Sequence, residues 1–225
     1  MATRILWIVL AASVSGSAAP PEERVVHPLA HERHLRNPGM GFVFYGPQDP
    51  LPETADVIFI CNTVWGQVEP EPGVFKWDVD EIRFARAIAE KYDRRLAIRL
   101  PPSFQNHEHV IPKWLVDKGV RQFPCRPEVL KDFGFKSLLE PEWWNPAYVE
   151  AFEKFVKAYA KAFDGDPRLD WVDMRYYGFW GEGHRFNATV PWPRDVDRRK
   201  LLTRFIDAHR AAFSKTPKAG GSTAI

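Results

Sequence analysis

The feature that most limits what this chain can fold into is a nearly unbroken apolar run, with Val57, Ile58, Phe59, Ile60, Val64 and Trp65 inside Asp56 to Trp65. A strand covered on one face alternates apolar and polar residues, whereas a run without alternation suits a strand buried on both faces, as in a parallel sheet. Parallel neighbours need long crossovers, so helical patterns should separate the strands. They do. Phe42-Val43-Phe44-Tyr45, set between Asn37-Pro38-Gly39-Met40-Gly41 and Gly46-Pro47, predicts a first strand, and Asp56 to Trp65 a second. Asp78 is the expected N-cap of a helix that carries Ile82, Ala85, Ile88 and Ala89 at helical spacing through Lys91. Arg95 to Leu100, stopped by Pro101-Pro102, reads as a third strand.

The stretch from Ser103 to Pro146 is too long for a simple connection and predicts a functional loop with a local helix near Ile111 to Lys118. Asn145-Pro146 then opens an amphipathic helix over Tyr148 to Phe163, with Phe152, Phe155, Val156, Tyr159 and Phe163 on one face. Asp166-Pro167 introduces a fourth strand from Leu169 through Tyr177, and a last helix over Asp195 to Phe213 leads into Thr216-Pro217. This alternation defines an α/β chain built from right-handed crossover units. No Gly-rich dinucleotide or phosphate loop follows any strand, which favours a barrel over a nucleotide-binding open sheet. A closed barrel has eight strands in ~250 residues. The 225 residues here carry about half of them. The expected fold is therefore the N-terminal half of a (β/α)8 TIM-type barrel over residues 37–225, with an open edge through which copies would self-associate.

Tyr176-Tyr-Gly-Phe-Trp-Gly-Glu-Gly-His184 places one carboxylate, Glu182, among aromatic residues just past the fourth strand. Gly178, Gly181 and Gly183 free the backbone to splay Glu182 and His184 outward. Chemistry in parallel α/β proteins collects at the carboxyl ends of strands, so Glu182 is a candidate catalyst; a Glu that merely accepts backbone hydrogen bonds in a tight turn is the alternative. Aromatic residues make up 14% of the chain, with nine Trp and twenty Pro, a composition suited to stacking on the apolar face of a sugar. Trp65 and Trp180 are the candidate platforms, each equally readable as core. Asn62 could bond a hydroxyl at the mouth of the second strand or simply end that strand. Tyr177, Trp180 and Phe179 could raise the Glu182 pKa by excluding water, and Arg99 could instead hold it ionised.

Trp65-Gly-Gln-Val-Glu-Pro-Glu-Pro-Gly-Val-Phe-Lys-Trp-Asp78 resembles the second-strand segment of clan A glycoside hydrolases, particularly β-galactosidase-type families such as family 42. Asn37-Pro-Gly-Met-Gly41 is similar to the start of related bacterial barrels, and Arg99-Leu-Pro-Pro resembles the third-strand end at which an Arg borders the sugar subsite. The resemblance covers roughly residues 37 to 190 and implies that Glu182, at the fourth-strand position, is the acid/base. Two departures accompany it. Gly181 stands where the clan usually has Asn, leaving a sugar 2-hydroxyl contact to be lost or supplied by His184. The clan's nucleophile comes from the seventh strand, which this chain lacks. A retaining glycosidase needs two carboxylates about 5 to 5.5 Å apart, so the nucleophile is expected outside this chain. Asp173 is a weaker second carboxylate, or half of an internal polar pair with Arg175.

Arg4, the apolar run Ile5 to Ala12 and Gly16-Ser17-Ala18-Ala19 predict a signal peptide over residues 1–19, a polar arm over 20–36, and export to the periplasm or beyond. No segment is long enough to span a membrane. In an oxidising compartment Cys61 and Cys125 could pair, although Cys61 sits in a predicted buried strand. Net charge +2, with basic residues such as Arg194, Arg198, Arg199 and Lys200 interleaved with Asp195 and Asp197, offers no case for nucleic acid and reads as a solvated helix face. Asn106-His-Glu-His109 lacks the spacing of a helical zinc motif, so no metal or cofactor is expected. The expected activity is retaining hydrolysis of β-linked, β-galactoside-type oligo- or polysaccharides; the alternative is a catalytically incomplete carbohydrate-binding or remnant module.

Overall fold

A computed structural model describes residues 41–185 and 187–220, so the predicted signal peptide, the polar arm and residues 37–40 lie outside the described residues. The chain enters on β1 (Phe42–Tyr45) and β2 (Ala55–Ile60), turns through the short α1 (Trp65–Val68), and continues into α2 (Asp80–Tyr92) and β3 (Arg95–Ile98). An excursion follows, with α3 (Lys113–Asp117), β4 (Gln122–Pro124), α4 (Pro127–Phe133) and β5 (Leu139–Pro141). Then come α5 (Pro146–Phe163), β6 (Leu169–Asp173), a 3₁₀ turn at Phe179–Gly181, α6 (Arg198–Ala212) and β7 (Lys218–Ala219).

Five strands form one parallel sheet in the order β1-β2-β3-β6-β7, and β4 pairs antiparallel with β5 in a separate ribbon. Strands succeed one another across the sheet in chain order, which is what successive strand-helix crossovers produce. Alternation along each strand sends its residues to two faces. On one face Ile58, Ile60, Leu96 and Ile98 join the large core with the helices. On the other, Val57, Phe59, Cys61 and Ala97 form a smaller cluster backed by Trp171. The register aligns Tyr45 with Phe59, Phe59 with Ala97, and Ala97 with Trp171. Two residues further along these strands, Cys61, Arg99 and Asp173 come to the same face, and Arg175 follows.

The helix over 146–163 forms as its pattern predicts. Asn145 Oδ1 accepts the Ala147 N–H at 3.0 Å, Pro146 occupies the first turn, and Phe152, Phe155, Val156, Tyr159 and Phe163 are all buried. Each such aromatic removed from water is worth about 1.5–3 kcal/mol, which makes this helix face the principal anchor of the sheet.

Several boundaries differ from expectation: α2 starts at Asp80 behind Val79 rather than with a cap at Asp78, β3 ends at Ile98 rather than Leu100, α6 starts at Arg198 behind the Asp197 cap rather than at Asp195, and others differ as follows. β2 stops at Ile60 because Glu81, in the first turn of α2, takes the N–H groups of Cys61 and Asn62 at 3.2 and 3.1 Å and the Thr63 hydroxyl at 2.7 Å. That withdraws them from the ladder. The Trp65 end of the run is helical instead, with Gln67 Oε1 accepting the Val64 N–H at 2.9 Å. β6 stops at Asp173, after which Tyr176 N–H turns back to Gly181 O. The 103–146 region contains the predicted local helix, as α3, and also a hairpin and α4, whose three-residue strands contain prolines and show no readable alternation. β7, beyond Thr216-Pro217, adds a fifth parallel strand that two residues could not announce. Among the described residues no helix is long and apolar enough to cross a membrane.

Candidate functional site

The loop after β6 is shaped by three glycines in the left-handed region, with φ of +88° at Gly178, +70° at Gly181 and +77° at Gly183. Gly178 admits no alternative, since a Cβ there would lie 2.4 Å from the His184 carbonyl oxygen and 2.7 Å from its nitrogen. The loop closes on itself through Phe179 N–H to His184 O at 3.1 Å and Gly183 N–H to Tyr177 O at 2.8 Å. Trp180 also has positive φ, +56°, a conformation that a bulky side chain adopts at a cost of about 1–3 kcal/mol and that concentrates at functional sites. Its indole N–H donates to Gln105 Oε1 at 2.6 Å, and its ring tilts against His184 at 5.8 Å.

This loop presents Glu182 to a ladder of charges at the strand ends. Arg99 donates from Nε to Asp173 Oδ2 at 3.0 Å, Arg175 also donates to that oxygen, and Arg175 Nη1 stands 3.1 Å from Glu182 Oε1. Arg99 Nη1 is 3.7 Å from the same Glu182 oxygen, and His184 Nε2 is 3.7 Å from Glu182 Oε2. Side-chain exposure rises from 7% at Arg175, 9% at Asp173 and 12% at Arg99 to 38% at Glu182, so Glu182 is the carboxylate a ligand can reach. The Arg99 guanidinium also lies 4.8 Å above the Phe59 ring. The hydrogen bond with His184 holds the Glu182 carboxyl below its usual range; burial opposes this, and the charges of Arg175 and Arg99 reinforce it. Burial pushes the carboxyl up more than the charge of Arg99 alone pulls it down, and it is the His184 hydrogen bond, with Arg175 and Arg99 adding to it, that leaves the net direction downward. These surroundings therefore hold Glu182 as the carboxylate and disfavour its protonation.

Arg99, Glu182 and His184 are brought together, with Trp180 in the same loop. Tyr177 belongs to that loop too, its ring set edge-on to Trp192 at 5.3 Å, and burial pushes its phenol pKa up. Trp65 is not at the site. It is fully buried, stacked on Phe155 at 4.9 Å and edge-on to Tyr148 and Phe152, with its indole N–H on the buried Glu69 at 2.6 Å, so neither face is open to a sugar. Asn62 is exposed, and its side-chain amide is engaged by Glu81 at 3.0 Å, which makes it a strand-end residue tied to α2. Cys61 and Cys125 are buried free thiols rather than a disulfide, and burial pushes Cys61 up to about 11.

Arg175 is the functional neighbour that sequence reading undervalued. Its signal was the period-2 spacing of Trp171, Asp173 and Arg175, which puts all three on one sheet face. A second missed group is Arg185, whose guanidinium forms a two-pronged pair with the fully buried Glu140 and lies over Trp144 and Trp192 at 5.4 and 5.0 Å. No protein-family model and no curated protein sequence matches the chain.

Proposed function

We propose that the parallel sheet is the N-terminal half of a (β/α)8 barrel and that the protein is an exported glycoside hydrolase acting on β-linked, β-galactoside-type carbohydrates. Glu182 is the acid/base of a retaining mechanism, and the nucleophile is supplied from outside this chain. One observation carries the reading: the most accessible carboxylate of a buried charge ladder stands past the carboxyl end of the fourth strand, on a loop bent to hold it there. Parallel order, an inward face that turns polar only at the strand ends, and the aromatic residues of the loop agree with it.

The acid step needs a proton on Glu182, which the present neighbours disfavour. A second carboxylate placed about 5 to 5.5 Å away would reverse this, because two like charges at that range cannot both ionise cheaply. Completion of the barrel is then what converts Glu182 from base to acid. Protonated, it would give its proton to the leaving glycosidic oxygen while the nucleophile takes the anomeric carbon; ionised again, it would draw a proton from the water that releases the sugar. Arg175 and Arg99 position the carboxylate, and His184 holds its second oxygen. The same depressed Glu182 favours a second reading, a carbohydrate-binding module whose carboxylate only accepts hydroxyl hydrogen bonds.

Hydrolysis of alkyl and aryl β-glycosides by the protein at its full natural length separates the two. Under the first reading Glu182→Gln lowers kcat/KM by about 10²- to 10⁴-fold for poor leaving groups and far less for dinitrophenyl glycosides, and Glu182→Ala with azide forms a glycosyl azide of retained configuration. Wild-type turnover in Glu182→Gln would refute the assignment. Saccharide binding without turnover would establish the second reading.

A further inference from the structure

Beyond His184 the site opens into a cleft of about 610 Å³, a size suited to an organic ligand rather than a lone ion. Gly183 and His184 form its near wall, so it begins beside Glu182. Tyr177 and Trp192 supply an aromatic side, and the remaining charged lining is Arg126, Arg185 and Arg198, with no Asp or Glu among the lining residues. The three guanidinium groups differ in what they already hold. Arg185 is matched by the fully buried Glu140 and donates further to Val190 O at 2.7 Å, so it braces the wall. Arg126 and Arg198 are exposed and have no carboxylate partner among the described residues. Asp197, next to Arg198, spends its Oδ1 on the Lys200 N–H at 3.0 Å as the cap of α6.

The walls are fixed rather than loose. Arg126 N–H donates to Asn187 O at 3.0 Å, Cys125 bridges to Ala188, and the Thr189 hydroxyl donates to Pro124 O at 2.7 Å. Two unmatched cations therefore face a preshaped, partly aromatic cleft adjoining the candidate acid/base. A guanidinium placed so binds a planar carboxylate or a sulfate oxygen pair, while the aromatic wall takes a sugar's C–H face.

We propose that this cleft is a subsite for an acidic sugar residue, so that the substrate is an anionic β-linked glycan bearing carboxylate or sulfate groups held by Arg126 and Arg198. This rests on the glycosidase reading of Glu182 and specifies its substrate class. The test is calorimetric titration of the protein with four probes: a β-1,4-linked mannuronate trisaccharide, a sulfated β-galactoside trisaccharide, neutral β-1,4-galactotriose, and inorganic sulfate. An acidic trisaccharide should bind at least tenfold more tightly than galactotriose at low ionic strength. The advantage should shrink in 0.5 M salt, where screening acts within a few ångströms. Arg126→Gln with Arg198→Gln should remove about tenfold or more of the acidic probe's affinity and leave galactotriose binding and the thermal midpoint unchanged. Which acidic probe wins identifies the charged group. Equal binding of galactotriose and both acidic probes, untouched by the double variant, overturns the inference and leaves the glycan reading standing. Inorganic sulfate binding as tightly as the sulfated sugar also overturns it, since the cleft would then recognise an anion alone. Absence of binding by every saccharide overturns the inference and the glycan reading together.

Discussion

Adding one methyl group at Gly178 and one at Gly134 should have very different consequences, although both glycines have positive φ. At Gly134, which ends α4 with φ +66° and ψ +25°, an added Cβ would meet nothing within 4 Å. Gly134→Ala then costs about 1 kcal/mol for the left-handed backbone, partly offset by about 0.4–1 kcal/mol from a stiffer unfolded chain. The net change is a few tenths. At Gly178, φ +88° and ψ +170° lie in a region that essentially only glycine occupies, worth about 1–3 kcal/mol of strain. The new Cβ would also sit 2.4 Å from His184 O, and the obstacle is backbone, which must move by roughly an ångström to restore contact distance. Gly178→Ala should therefore cost about 3 kcal/mol, and at about 2–4 °C per kcal/mol for a chain of this size its melting point should fall by roughly 6–12 °C. Thermal and urea unfolding of the two variants side by side measures this, and hydrogen exchange at the amides of residues 179–184 reports whether the loop has opened. Equal destabilisation of the two variants, or a Gly178→Ala loop that exchanges like wild type, would refute the account of how Glu182 is held.

Three further outcomes follow from buried groups. His209 is buried and neutral, with Nδ1–H donating to Phe205 O at 2.9 Å, and burial pulls its pKa down to about 4. The unfolded chain takes up this proton near pH 6.5 and the folded chain only near 4, so stability should fall across that window by roughly 3 kcal/mol from this residue. Urea titrations from pH 7 to 4 should lose that slope in His209→Leu, and an unchanged slope would show another group responsible. Trp65→Ala should cost about 3–5 kcal/mol as a core deletion, appearing as a lower urea midpoint; loss of saccharide affinity at full stability would return Trp65 to the site. Cys61 and Cys125 should resist thiol reagents at neutral pH in the native protein and both react once urea unfolds it, with melting unaffected by reductant; a reductant-dependent midpoint would indicate a disulfide.

What could be read in advance was local. The face of α5 follows from Phe152, Phe155, Tyr159 and Phe163 recurring at helical spacing, and Asn145-Pro146 marks its start through a cap made within three residues. The bend that presents Glu182 is written in Gly178, Gly181 and Gly183, whose φ values only glycine adopts freely. The parallel character of the sheet follows from a strand with no polar alternation. Each of these depends on interactions between residues close in the chain or on the backbone preference of a single residue.

What only the tertiary structure decided is where distant side chains meet. Trp65 reads equally well as a platform or as core until Tyr148, Phe152 and Phe155 are seen closing over it. Asn62 reads as a ligand until Glu81 is seen holding its amide. The ionisation of Glu182 depended on what stands against burial, which only the fold shows: His184 leads the downward pull, and Arg99 and Arg175, arriving past the ends of different strands at 3.7 and 3.1 Å, add to it. Arg126 and Arg198 carry no local pattern that unites them; the cleft they share exists because the hairpin and the start of α6 pack against the same loop. Periodicity encodes which face of an element is buried, since that depends on the residue's own polarity. Charge pairing and access to a site depend on distances across the fold, which no stretch of sequence contains.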